Sequence, residues 1–142
     1  MPTRDATARW EGSLPDGKGT MRTATGSFEG PYSFTSRFEE GSGTNPEELI
    51  AAAHAGCFSM AFANMLSKAG HVPDSVETTA KVHLEKGDAG FSITRIDLVT
   101  EGRVPGIEND EFQQIADEAK AGCPVSRLVT GAEITVDATL VS

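Results

Sequence analysis

With 142 residues, 38% of them hydrophobic, the chain is long enough to bury one core and too short to suggest several, so residues 1–142 are expected to form a single domain. A net charge of −9, with Lys and Arg scattered, would repel a phosphate backbone over most of the surface and excludes nucleic acid as an expected partner. The opening stretch MPTRDATARWEG lacks the apolar core a signal peptide needs, which points to the cytoplasm, where thiols stay reduced.

In chain order, Thr7 to Trp10, Gly19 to Thr25 and Tyr32 to Phe38 alternate as strands do, separated by the turn signals Pro15-Asp16-Gly17 and Glu29-Gly30-Pro31. An antiparallel meander is expected. Thr44-Asn45-Pro46-Glu47-Glu48 then reads as a helix start, with a capping residue, proline at the first helical position and acids at the positive end of the dipole. That helix should run to about Lys68 and end at Gly70. Its apolar part, Leu49 to Leu66, has a membrane-span length, but its Ala and Gly content together with His54, Ser59 and Asn64 predicts a buried core helix instead. No membrane partner is expected.

Val76 to Leu84 and Phe91 to Thr100 alternate about the turn Gly87-Asp88-Ala89-Gly90, a hairpin pattern. Phe112, Ile115, Ala116 and Ala119 recur at helical spacing within Asn109 to Ala121, and Gly122 stops that helix. Cys123-Pro124 opens a short helical turn through Leu128, and Ile134 to Val141 closes the chain as a strand. The expected class is α+β: a curved antiparallel β-sheet packed on a central apolar helix.

The two cysteines are the best guide to chemistry. Sixty-five residues separate Cys57 from Cys123, so they form no Cys-x-x-Cys motif, and with one apolar-helix His between them they are too few for an ordinary zinc site. Neither a metal nor another cofactor is expected. Cys57 shares its helix face with Ala53, His54, Met60 and Ala61, and desolvation there would raise its pKa unless a cation lies near. Cys123, directly before Pro124 at a helical start, sits near unpaired backbone N–H groups that stabilise a thiolate. Read from the residues alone, Cys57 is equally a small core hydrophobe and a nucleophile, Cys123 is an unusual cap or a reactive thiol that the dipole makes more acidic than Cys57, and His54 is a core histidine or a partner for Cys57.

Through ARWEG, GKGT, PYSF, SRFEEGSGTNPEELIAAAHAGCFSMA, DAGFSITRIDL, VPGI, AKAGCPVS and AEITVDATL, the chain closely resembles, essentially end to end, the OsmC branch of the OsmC and organic hydroperoxide resistance proteins. The resemblance implies an OsmC-like fold in an intertwined homodimer, and a thiol-dependent peroxidase that reduces organic hydroperoxides. By position it makes Cys57 the peroxidatic cysteine and Cys123 the resolving cysteine, Arg37 the arginine beside the reactive thiol, and Glu47 the acid that holds that arginine. It implies an external dithiol reductant, a lipoyl-type donor being one option.

If Glu47 and Cys57 share one straight helix, ten residues put them about 15 Å apart along its axis, which points to a site shared between two chains. The expected cycle is attack of the Cys57 thiolate on the distal peroxide oxygen, release of an alcohol, capture of the sulfenic acid by Cys123 and reduction of the disulfide. Phe38, Phe58, Met60 and Phe62 are the candidate pocket walls, favouring alkyl or fatty hydroperoxides. Other classes fit the same residues: a cysteine hydrolase with His54 as base to Cys57, a redox sensor, or a carrier of apolar small molecules.

Overall fold

The computed structural model of the chain describes residues 2–141. Backbone contacts divide it into two compact units, the first up to Leu49 and the second from Ile50 onward.

In the first unit, β1 (Ala6–Glu11), β2 (Lys18–Thr23) and β3 (Glu29–Tyr32) form an antiparallel sheet in that order. Trp10 and Tyr32 flank β2 with ring centroids 5.3 Å apart, and Gly19 lies between them because a Cβ there would meet both rings at 2.6 Å. The predicted third strand from Tyr32 to Phe38 is only partly right. Strand structure ends at Tyr32, and Phe34–Phe38 form the short helix α1. Ser33 and Ser36 make a reciprocal capping box, and Phe34 and Phe38, one turn apart, stack at 5.1 Å. Residues 32, 34, 36 and 38 alternate by twos, but Phe34 and Phe38 are equally an i, i+4 pair, and the serine cap decides for the helix.

Helix α2 (Pro46–Lys68) starts and stops where the sequence places it. The Asn45 side chain accepts from the Glu48 N–H at 2.7 Å, Pro46 occupies the first helical position, and Gly70 (φ 92°) ends the helix in the left-handed region. Asn45 also donates through Nδ2 to the Ser36 carbonyl at 2.9 Å, so one amide fixes the end of α1 and the beginning of α2.

In the second unit, β4 (Ser75–Gly87) and β5 (Gly90–Arg103) form the expected hairpin, longer than predicted and bulged between His83 and Leu84. α3 (Asn109–Gly122) and α4 (Pro124–Leu128) follow, then β6 (Glu133–Val141). The class is α+β as expected, but the strands form two three-stranded sheets and β6 pairs with β5 in parallel. A helical crossover from the end of β5 returns the chain to the start of the same strand, which makes the pairing parallel. On the sheet's polar face Asp97 accepts from Thr135 Oγ1 at 2.6 Å and pairs with His83 and Arg95, joining all three strands. Hydrogen bonds from Thr135 and then His83 hold its carboxyl below the usual range.

The second unit's core gathers Phe58, Phe62 and Leu66 of α2, Ile96 and Leu98 of β5, and Phe112, Ile115, Ala116 and Ala119 of α3. The expectation that α2 is buried throughout is therefore corrected. One stripe, His54, Phe58, Phe62 and Leu66, is fully buried, while Ala52, Ala53, Gly56 and Met60 are exposed. At 100° per residue the two sets occupy opposite sides of the helix, and Cys57 falls on the seam between them.

Candidate active site

Cys57 Sγ and Cys123 Sγ lie 3.0 Å apart, both as free thiols. A disulfide bond is about 2.04 Å, so roughly 1 Å of approach separates the two states. Each cysteine is placed by its local sequence. Cys57 is half-buried on the seam of α2. Cys123 is fully buried at the junction where α3 ends and α4 begins, in an extended conformation (φ −62°, ψ 130°) that its neighbour Pro124 favours by disallowing helix at the preceding residue.

Their acidities diverge. Burial, and then the hydrogen bond with Cys123, push the Cys57 thiol up, against a smaller downward pull from the Val125 N–H. Burial acts in the same upward sense on Cys123, but the hydrogen bond shared with Cys57, the N–H and hydroxyl of Ser126, and the Val125 N–H together outweigh it and bring Cys123 below its ordinary value. The ordering read from the helical start at Pro124 is therefore present in the geometry: in the isolated chain Cys123 is the more acidic thiol.

His54, one turn before Cys57, is hydrogen-bonded to another residue. Its Nε2 is 2.7 Å from Ser126 Oγ, and its buried Nδ1 has no hydrogen-bond partner among the described residues. The Cys57/His54 dyad that a cysteine hydrolase needs is not formed. Burial lowers the His54 pKa from its ordinary 6.5. With the folded value depressed, the unfolded chain takes up a proton that the folded chain refuses. The resulting stability is complete above about pH 6.5 and is lost as pH falls toward the folded value. Urea unfolding of wild type is expected to show that loss below about pH 6.5, and His54→Gln is expected to remove that part of the slope.

Arg37 and Glu47 meet within the first unit. Arg37 Nε and Nη2 donate to the two Glu47 carboxylate oxygens, each at 3.0 Å, a two-point pair that fixes the plane of the guanidinium. Glu47 is 8% exposed on the first turn of α2, and Arg37 stands on α1, inside the stretch from Tyr32 to Phe38 expected to be strand. The guanidinium carbon also lies 5.2 Å from the Phe38 ring centroid. Arg37 and Phe38, with Trp10, Leu14 and Phe34, line an open cavity of about 440 Å³.

The candidate pocket walls divide. Phe38 borders that cavity. Phe58 and Phe62 do not line an open pocket: both are fully buried, with Phe58–Phe62 and Phe62–Phe112 centroid separations of 5.5 and 5.1 Å, because i, i+4 aromatics on the buried stripe fill the core. Met60 is 77% exposed, on the opposite side of the helix. The residue that sequence reasoning missed is Ser126, and its signal was the Cys-Pro-Val-Ser spacing, which sets a hydroxyl at the third position of the turn that Cys123 caps.

Residues 39–139 match the family described as OsmC-like protein. The chain is 56% identical over 131 residues to peroxiredoxin OsmC of Escherichia coli (strain K12), covering 92% of this chain and 91% of that protein. It is 35% identical over 103 residues to an organic hydroperoxide resistance protein of Xanthomonas axonopodis pv. citri, covering 70% and 67%. Among solved structures, an organic hydroperoxide resistance protein from Elizabethkingia anophelis superposes with a TM-score of 0.79 at 25% identity, over 99% of this chain and 98% of that one.

Proposed function

The chain belongs to the OsmC family, and from that premise we propose that it is a thiol-dependent peroxidase that reduces organic hydroperoxides to alcohols. The observation that carries the reading is the 3.0 Å separation of two free thiols that lie 66 positions apart in sequence. The Cys57 thiolate attacks the distal peroxide oxygen, the O–O bond breaks, and the alkoxide leaves with a proton as alcohol. Cys57 is left as a sulfenic acid. The Cys123 sulfur then forms the S–S bond and expels hydroxide, which leaves as water, and an external dithiol restores both thiols. Full burial of Cys123 and half-burial of Cys57 support this order, because the sulfur that meets peroxide must be reachable.

Arg37 supplies the cation that an apolar Cys57 requires, and Glu47 aims it without touching sulfur. Ten positions of one helix separate Glu47 from Cys57, and the exposed apolar side of α2 (Ala52, Ala53, Gly56, Met60) adjoins Cys57, so the reading assigns Arg37 and Glu47 to the thiol of a second copy. Residues 1–142 then act as a single OsmC-like domain within an intertwined homodimer. Phe38 beside Arg37 favours alkyl or fatty hydroperoxides, a lipoyl-type dithiol suits the recycling step, and the cytoplasm supplies the reducing conditions.

Thiol counting tests this. Reduced protein mixed with cumene hydroperoxide is expected to lose two thiols as an internal disulfide, whereas Cys123→Ser protein accumulates a trappable sulfenate. Turnover with a dithiol separates the enzyme from a one-shot sensor, and unchanged thiol content in both proteins refutes the reading.

A further inference from the structure

Three groups of the second unit stand in line behind the reactive pair: His54 Nε2 lies 2.7 Å from Ser126 Oγ, Ser126 occupies the third position of the turn that Cys123 caps, and Cys123 Sγ lies 3.0 Å from Cys57 Sγ. His54 is fully buried and Ser126 is 6% exposed, so none of this is solvated surface chemistry. The cycle described above uses neither His54 nor Ser126.

The orphan nitrogen fixes the direction of the line. Were Nδ1 to carry the proton, a buried N–H donor would have no acceptor, the costlier kind of unsatisfied group; with the proton on Nε2, Nδ1 keeps only a lone pair. Nε2–H therefore donates to Ser126 Oγ. The hydroxyl, its oxygen engaged by the imidazole, has its own hydrogen to give. Ser126 is the third residue of the turn that Cys123 caps, which keeps its hydroxyl within one turn of the Cys123 sulfur.

We propose that His54 and Ser126 are positioning residues for the resolving cysteine, His54 orienting the Ser126 hydroxyl so that it donates to Cys123 Sγ and holds it as a thiolate. This rests on the peroxidase reading for its role in turnover. The hydroxyl and N–H of Ser126 both lower the Cys123 pKa, in agreement with that orientation. Two steps benefit. In resolution, Cys123 has already given its proton to solvent, its electron pair forms the S–S bond with Cys57, and the S–O bond of the sulfenic acid breaks to release hydroxide, which takes a proton back from solvent and leaves as water. In recycling, the external dithiol attacks the more accessible Cys57 sulfur, a mixed disulfide forms there, and Cys123 departs as a thiolate that the hydroxyl again stabilises. Attack on peroxide by Cys57 is left largely to other groups.

The test begins without peroxide. In Cys57→Ser protein the remaining thiol is titrated by its thiolate absorbance, with and without Ser126→Ala; the serine-to-alanine change is expected to move the midpoint upward. In proteins with both cysteines, Ser126→Ala is expected to slow conversion of sulfenate to disulfide at neutral pH by roughly tenfold, with little change in the peroxide-dependent first step. His54→Leu is expected to match it, the double variant to be no slower than either single variant, and His54→Gln, which keeps a side-chain donor, to recover most of the rate. An unmoved Cys123 titration in Ser126→Ala overturns the inference whatever becomes of the peroxidase reading. Independent, multiplying effects of the two single changes overturn the link between His54 and Ser126. Ser126→Ala removes one buried oxygen and carries the test even if His54→Leu does not fold.

Discussion

Cys57→Ser protein is expected to consume no organic hydroperoxide above the uncatalysed rate, a loss of about 10⁴-fold or more in kcat/KM. Serine is close in shape, so the fold survives; what disappears is a nucleophile that ionises within reach of neutral pH and can carry a sulfenic acid. Cys123→Ser is the instructive contrast. It keeps the first step, so a single equivalent of hydroperoxide is consumed in a burst and turnover then stops at the sulfenate. Burst kinetics with equal concentrations of protein and cumene hydroperoxide separate the two variants. Equal loss of the burst in both would remove the division of labour between the sulfurs.

Arg37→Ala is expected to lower kcat/KM for hydroperoxide by about 10²–10³-fold, the range for losing one preorganised donor at developing charge. Without the guanidinium, Cys57 keeps the upward shift that burial and its thiol neighbour impose. Glu47→Gln leaves the arginine in place without its charged fork and is expected to cost less. Arg37→Lys rescues little, because an ammonium cannot make both bonds that fix the guanidinium plane. Mixed dimers decide where the arginine acts. If each site takes Cys57 from one chain and Arg37 from the other, a dimer of one Cys57→Ser chain and one Arg37→Ala chain retains one intact site and about half the activity. If each site is built within one chain, that dimer is inactive.

What could be read from the sequence was whatever a local rule governs. Asn45 and Pro46 announce α2, Gly70 ends it, Gly122 and Pro124 bracket the turn at Cys123, and Gly87 to Gly90 reverse the hairpin. What could not be read was either a local pattern that fits two structures or a choice made by partners remote in sequence. The alternation of Tyr32, Phe34, Ser36 and Phe38 fits strand and helix alike until the Ser33–Ser36 cap is known to form. The parallel direction of β6 follows from a crossover whose course no single segment encodes. The same holds within the candidate site. Cys57 and Cys123 were found as residue types, and Arg37 and Glu47 by likeness to a family, while Phe58 and Phe62 looked like pocket walls because apolarity alone does not say which side of a helix faces a core. Ser126 attracted no notice because a serine in a short turn is ordinary; only its 2.7 Å approach to a buried imidazole sets it apart.

The parallel strand has a consequence for the nascent chain. Cys123 lies in the crossover between β5 and β6, 66 positions after Cys57, so their meeting waits at least until that crossover has been translated. At about 5–20 residues per second, Cys57 spends on the order of ten seconds at the ribosome as an unguarded thiol. On the proposed cycle, oxidant met in that interval can carry Cys57 past the sulfenic stage to the irreversible sulfinic acid, so the order of synthesis exposes the first sulfur before the one proposed to capture its sulfenate.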